Sequence, residues 1–328
     1  MRVLLWHGWL LEGSGSNVYT ARVARELRER GHDVLLLCQE QHPERFAFVD
    51  TWGTVDERGV SELTPTSAES TAGRVVALRP FIGAILPVFV IDEYEGFDRV
   101  ERFVSLSDNE LGAYLDFNIG ALHAAAEWHG SEVIVAGHAV PGPIVTRRAL
   151  GAGRYIATVH GSDLEYAVAQ QRRYAHLARE GLEGAIAVVG ATRYVLARTC
   201  QLTPGIAART RVIPPGVDAD RFRTKPRAEA LTEVASLLEA DTETARGRPD
   251  SLGAEIDRAL VTRDTTAFDA FAHLYDQTVP DPDASARLAA LAVQRAWSQE
   301  GIGSASCRVG GNDGTDQSVV RLADGEGS

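Results

Sequence analysis

Three short stretches carry the residues that could do chemistry. The first is Gly13-Ser14-Gly15-Ser16-Asn17, set between an apolar run and a helical pattern. Glycines let a backbone approach a ligand closely. The free N–H groups and positive dipole end of a following helix then face an anion. The chemistry implied is a cradle for a diphosphate, although Gly13-Ser14-Gly15 lacks the third glycine of the dinucleotide fingerprint. The second stretch is His160-Gly161-Ser162-Asp163. It offers an imidazole that titrates near neutrality, a glycine for a tight turn, and Ser162 or Asp163 as a helix cap. The third is the pair His7 and His138, the latter within Gly137-His138. Taken alone, Asp163 reads as an N-cap and His160 as a loop histidine. The spacing of His7, His138 and His160 matches no helix-borne metal motif, so no metal site is expected.

All of these residues follow apolar runs. Residues 2–6, 34–37, 75–78, 88–91, 133–136, 155–159 and 185–189 are, apart from Arg2 and Thr158, apolar without alternation, as in strands covered on both faces. Helical spacing separates them. Over 111–128, for example, Leu111, Leu115, Ile119, Leu122 and Ala126 share one face. The alternation predicts an α/β fold, a Rossmann-like doubly wound parallel sheet over residues 1–223. Ligands meet such sheets at the carboxyl ends of the strands. His7, His138, His160 and the 13–16 loop are therefore expected to converge on one cleft, with His138 and Asp163 as further binding candidates there. Two prolines and a glycine in Arg211-Val212-Ile213-Pro214-Pro215-Gly216-Val217-Asp218 end a strand and begin a connection.

Composition narrows the partners. The net charge is −12; residues 1–223 carry 23 basic and 27 acidic side chains, and residues 224–328 carry 10 and 18. Neither part has the basic surplus that a nucleic-acid backbone demands. No apolar run reaches the roughly 18 residues of a membrane span. The N-terminus reads as a first strand rather than an export signal. Three widely spaced cysteines, Cys38, Cys200 and Cys307, form neither a metal motif nor a disulfide framework. A cytoplasmic location is expected.

In this order and at these distances the pieces resemble the N-terminal half of a family-4 retaining glycosyltransferase of the GT-B fold. The matching features are the glycine-rich loop after the first strand, the helix ending Leu27-Arg28-Glu29-Arg30-Gly31-His32-Asp33-Val34, the 160–163 turn, and Val212-Ile213-Pro214-Pro215-Gly216-Val217-Asp218. The resemblance covers residues 1–223. It implies transfer of a hexosyl group, with retention, from a nucleotide sugar to a hydroxyl-bearing acceptor, without a metal or other cofactor. It places Gly13, Ser14, Gly15 and Ser16 near the donor diphosphate. It places His160 near the donor sugar and the reacting centre as the catalytic residue. Most of the acceptor surface would come from this first domain.

The rest of the chain departs from that family. Its donor site lies mostly in a second domain, with an arginine and a lysine after the first strand and two glutamates eight positions apart. After Gly216 this chain has one lysine, Lys225, and no two glutamates eight apart. Residues 224–297 instead read as amphipathic helices, and 298–328, rich in Gly, Ser and Asp, as a disordered tail. The expectation is a glycosyltransferase that keeps a helical insertion but whose second Rossmann domain was lost by truncation or frame disruption, leaving this chain inactive or impaired in transfer. A one-domain protein with a helical appendix is the alternative origin. In function, the alternatives are a non-catalytic module binding a nucleotide, a sugar or a partner subunit, and a nicotinamide enzyme. The last is disfavoured because Leu37 is followed by Cys38-Gln39, with Glu40 late for a ribose.

Overall fold

The computed structural model describes residues 1–66, 72–91, 94, 96–219, 222–226, 229 and 233. The chain divides into two compact units, Met1–Gly216 and Val217–Ser328. In the second, Lys225 Nζ pairs with the Glu233 carboxylate at 2.5 Å. Apart from residues 224–226, 229 and 233, the helical segment expected over 224–297 lies outside the described residues, as does the tail expected over 298–328.

The first unit is organised around β1 (Arg2–Trp6). Successive strand side chains face opposite sides of a sheet. Leu4 and Trp6 join one core with Leu35, Leu37, Val76 and Leu78; Val3 and Leu5 join the other with Val34, Leu36, Val75 and Ala77. Both faces are dry, which is why these runs are apolar without alternation. The strands that follow are β2 (Asp33–Leu37), β3 (Thr51–Asp56), β4 (Gly59–Pro65), β5 (Arg74–Pro80), β6 (Leu86–Val88), β7 (Val100–Arg102), β8 (Val133–Gly137), β9 (Ile156–Val159), β10 (Ala187–Gly190) and β11 (Thr210–Val212). Among the described residues the main sheet has the order β11-β10-β9-β8-β1-β2-β5-β3-β4. Every pairing in it is parallel except the β3–β4 hairpin. From β1 the chain first fills one side, where β2, β5, β3 and β4 lie in that spatial order, and then crosses to the other, where β8, β9, β10 and β11 follow outward, so the topological switch point lies between β1 and β8.

Two features differ from the sequence expectation. The strand expected over 88–91 is β6, which ends at Val88 and pairs with β7 in a separate two-stranded sheet. Tyr94 and Phe97 pack against the core here, so this excursion caps the apolar face rather than extending the main sheet. The β3–β4 hairpin was not foreseen. Its strands mix small, polar and apolar residues, and β4 is exposed from Ser61 to its end.

Helices cover both faces. α1 (Gly15–Glu29) begins where the Ser14 hydroxyl accepts the Asn17 N–H, and its end is followed by Gly31 at φ 82°. The helix lays Ala21 and Ala24 against the second core. It also buries Arg28, whose guanidinium donates to both Asp50 oxygens at 2.9 and 2.7 Å. Asp50 in turn accepts the Val75 N–H at 2.7 Å, pinning α1 to β5. α2 (Asp108–His129) opens on a Ser107–Glu110 capping box and closes on Gly130 in the left-handed region. With α3 (Gly142–Leu150) and α4 (Arg172–Gly184) it covers the first core; α5 (Arg193–Leu202) follows β10.

Close approach of α3 to the sheet gives a test. A Cβ at Gly142 would lie 2.3 Å from the Gly137 carbonyl oxygen and 2.8 Å from the Trp6 ring, whereas one at Gly112 in α2 would meet nothing within 4 Å. Gly142→Ala is expected to cost about 1–3 kcal/mol through overpacking. Gly112→Ala is expected to gain about 0.5–1 kcal/mol from helix propensity. Urea midpoints that move the same way for both variants would contradict this packing.

Candidate active site

Parallel strands β1, β8 and β9 deliver His7, His138 and His160 to one edge of the sheet. The His7 and His138 ring centroids are 6.0 Å apart, and those of His138 and His160 are 4.7 Å apart. The row thus flanks the switch point between β1 and β8.

His7 joins this row to the glycine-rich loop. Its Nε2 lies 2.9 Å from Asn17 Oδ1 and 3.0 Å from the Leu10 carbonyl. Both are acceptors, so Nε2 carries the proton. The Thr20 hydroxyl sits between His7 Nδ1, at 3.2 Å, and the Ser16 carbonyl, at 3.0 Å. Asn17 also donates to the Glu12 carbonyl at 2.6 Å. The N-terminal turn of α1 is therefore tied to the end of β1. Tyr19 from the same turn meets His160 edge-on, with centroids 5.6 Å apart. Gly13, Ser14, Gly15 and Ser16 thus lie on the same side of the sheet as the three histidines. Gly13 has φ 89°, and a Cβ at Gly13 or Gly15 would meet nothing within 4 Å. The loop is open, with the Ser14 and Ser16 hydroxyls 3.2 Å apart.

Asp163 is fully buried. One oxygen accepts the Ala139 N–H; the other accepts those of Gly161 at 2.7 Å and Leu164 at 3.0 Å. It caps the π-helical turn Leu164–Val168 and also fastens the loop after β8 to the loop after β9. His138 lies beneath, at φ 67°, with the Trp9 ring 4.5 Å and the Phe89 ring 5.2 Å away. Among the described residues neither of its ring nitrogens has a hydrogen-bond partner, and Nδ1 is 3.8 Å from Asp163 Oδ2.

Burial sets the electrostatics. It pushes His7 down to about 4 against the opposing Asn17 hydrogen bond, and pushes His138 well below the usual imidazole range. His160 is lowered by burial, with Asp163 opposing. The cluster is neutral at pH 7 and offers hydrogen bonds rather than charge, while the α1 N-terminus supplies a positive field. Among the described residues no group of three or more His, Cys, Asp or Glu has an arrangement that could hold a metal ion. Glu40 is occupied structurally, accepting the N–H groups of Leu11 at 3.1 Å and His42 at 3.0 Å.

Sequence reasoning missed the aromatic wall and the ties made by Tyr19 and Thr20. Trp9, two residues after a strand-end histidine, was the available signal; Phe89 and Phe103 reach Trp9 only through the fold.

Fold and strand-edge site together define a Rossmann-like α/β unit with a helix N-terminus beside its switch point. Residues 13–221 match the family model for Glycosyltransferase Family 4, and the chain belongs to that family. Similar solved structures include Anabaena HepE in complex with UDP and glucose, at 14% identity and TM-score 0.40, covering 73% of this chain and 50% of that one. A glycosyltransferase from Rickettsia africae is 12% identical, with TM-score 0.42 and 90% and 65% coverage. A UDP-N-acetylglucosamine 2-epimerase from Rickettsia bellii is 9% identical, with TM-score 0.37 and 81% and 60% coverage. The chain thus spans half the length of HepE. A search of curated proteins found no match. No helix among the described residues is long and apolar enough to cross a membrane.

The buried histidines make stability depend on pH. A histidine whose folded value lies below its unfolded 6.5 binds its proton more readily when unfolded. Its stabilising effect is complete above pH 6.5 and is lost as pH falls toward 4. His7 alone is expected to remove about 2 kcal/mol by pH 5. His138 acts in the same direction, so His138→Phe should flatten the slope of urea midpoint against pH. A midpoint constant between pH 7.5 and 5 would contradict the neutral, buried cluster.

Proposed function

We propose that the unit Met1–Gly216 holds the acceptor and the reacting end of a nucleotide sugar, and that the chain serves in retaining transfer of a hexosyl group to a hydroxyl without a metal cofactor. Membership of glycosyltransferase family 4 supports sugar transfer. The observation that carries the site assignment is the state of His160. Its ring lies in the histidine row beside Tyr19 of α1, it is only partly buried, and no described residue hydrogen-bonds it. It is thus free to meet a ligand.

The arrangement suits the chemistry. Glycosyl transfer builds positive charge at the anomeric carbon and negative charge on the departing diphosphate. The N–H groups and dipole at the start of α1 stabilise the leaving group. Gly13 and Gly15 leave the backbone uncovered for close approach. Neutral His160 hydrogen-bonds a sugar hydroxyl or the developing charge at the reacting centre.

The test uses the purified chain with a panel of nucleotide sugars, UDP-glucose first, measuring binding, donor hydrolysis and transfer. His160→Ala is expected to lower transfer roughly 100-fold or more. Gly15→Val is expected to weaken donor binding roughly tenfold or more while folding is unchanged, because its side chain enters open space. Saturable binding without transfer would favour a non-catalytic binding module. Robust transfer indifferent to both variants would remove this site from consideration.

A further inference from the structure

The polar groups around His138 leave one with an uncommitted partner site. Trp9 gives its indole N–H to the Pro87 carbonyl at 2.8 Å. His7 is engaged by Asn17, Leu10 and Thr20. His160, 4.7 Å away centroid to centroid, has no hydrogen-bond partner among the described residues. Asp163 Oδ2 accepts one N–H, from Ala139, and retains acceptor capacity 3.8 Å from His138 Nδ1. His138 itself is an imidazole in the left-handed backbone region, with both nitrogens buried and unpaired. Unpaired buried nitrogens cost stability, and strained or unsatisfied positions of this kind cluster at active sites.

We infer that Asp163, His138 and His160 form a hydrogen-bonded relay when ligand is bound, in which His138 is a positioning residue that selects the tautomer of His160. This rests on the reading of His160 as the group that meets the sugar. A shift of about 1 Å brings His138 Nδ1 within hydrogen-bond range of Asp163 Oδ2. The carboxylate accepts there, so the His138 proton resides on Nδ1. Its Nε2 is left as an acceptor and takes the N–H of His160. The other nitrogen of His160 is then bare and points a lone pair at the cleft, an acceptor for a hydroxyl. No proton changes owner; the carboxylate sets orientation through two rings, as the aspartate of a serine-protease triad orients its histidine.

The experiment records long-range ¹H–¹⁵N correlations of the full chain labelled with ¹⁵N-histidine, with and without UDP-glucose as probe. His160 is assigned from the His160→Gln spectrum. In the wild-type chain with probe, His160 is expected in one dominant neutral tautomer. In His138→Phe the tautomer ratio should fall roughly fivefold, the bias one net hydrogen bond supplies. The urea midpoint at pH 7.5 should hold or rise in that variant, since two unpaired polar atoms leave an apolar surround. An unchanged tautomer ratio would overturn the relay. So would a lowered midpoint, which would make His138 structural. Failure of the underlying reading is read separately, as UDP-glucose binding and transfer that survive in His160→Ala.

Discussion

Asp163 sits where two adjacent parallel strands release their chains, and its carboxylate takes the N–H groups of Ala139, Gly161 and Leu164. A hydrogen bond to an ionised acceptor is worth about 1.5–3 kcal/mol. Removing the carboxylate would also strand the Ala139 and Leu164 N–H groups out of water, and that of Gly161 partly so. The loop after β8 and the loop after β9 are thereby fixed to one another. The 4.7 Å spacing of His138 and His160 follows from that bond set more than from any contact between the rings. The site is thus placed by backbone hydrogen bonds to one side chain, on a sheet too dry to supply polar partners of its own.

The same dryness decides what the histidines can be. Three imagined cations in a row, 6.0 and 4.7 Å apart, would repel one another and lose their hydration together. Neutral rings avoid both costs and keep one donor and one acceptor each. His7 spends its pair on α1, which sets the height of the glycine-rich loop above the sheet. His160 has no hydrogen-bond partner among the described residues. Positive potential at this edge then comes from the helix terminus, which needs no counter-ion and does not titrate.

Much of this was legible in the residues. Unbroken apolar runs foretold strands buried on both faces, and the Gly13-to-Asn17 stretch foretold a capped helix after the first of them. The strand-end histidines do converge at one edge of the sheet. Strand order was not legible, because parallel pairing depends on which faces the connecting helices cover, and that is a property of the whole sheet. The β3–β4 hairpin escaped for a local reason: an edge strand open to water needs no apolar run. Arg28 and Asp50 escaped as well. In sequence Arg28 looks like one more surface charge in Leu27-Arg28-Glu29-Arg30, and only the fold shows it buried and paired.

Four buried side-chain atoms among the described residues lack partners: Trp6 Nε1, the Tyr114 hydroxyl and both nitrogens of His138. The first two belong to large rings whose apolar area more than offsets one unpaired group. His138 offers no such compensation. Its ring is small, both of its nitrogens are affected, and its backbone lies at φ 67°. A phenylalanine or leucine beside Trp9 and Phe89 would meet the same backbone strain but would bury no unpaired nitrogen. Packing therefore does not explain an imidazole at this position. Its ring lies 3.8 Å from the buried Asp163 carboxylate and 4.7 Å, centroid to centroid, from the only partly buried His160, and this is the place where a hydrogen-bonding ring can act on both.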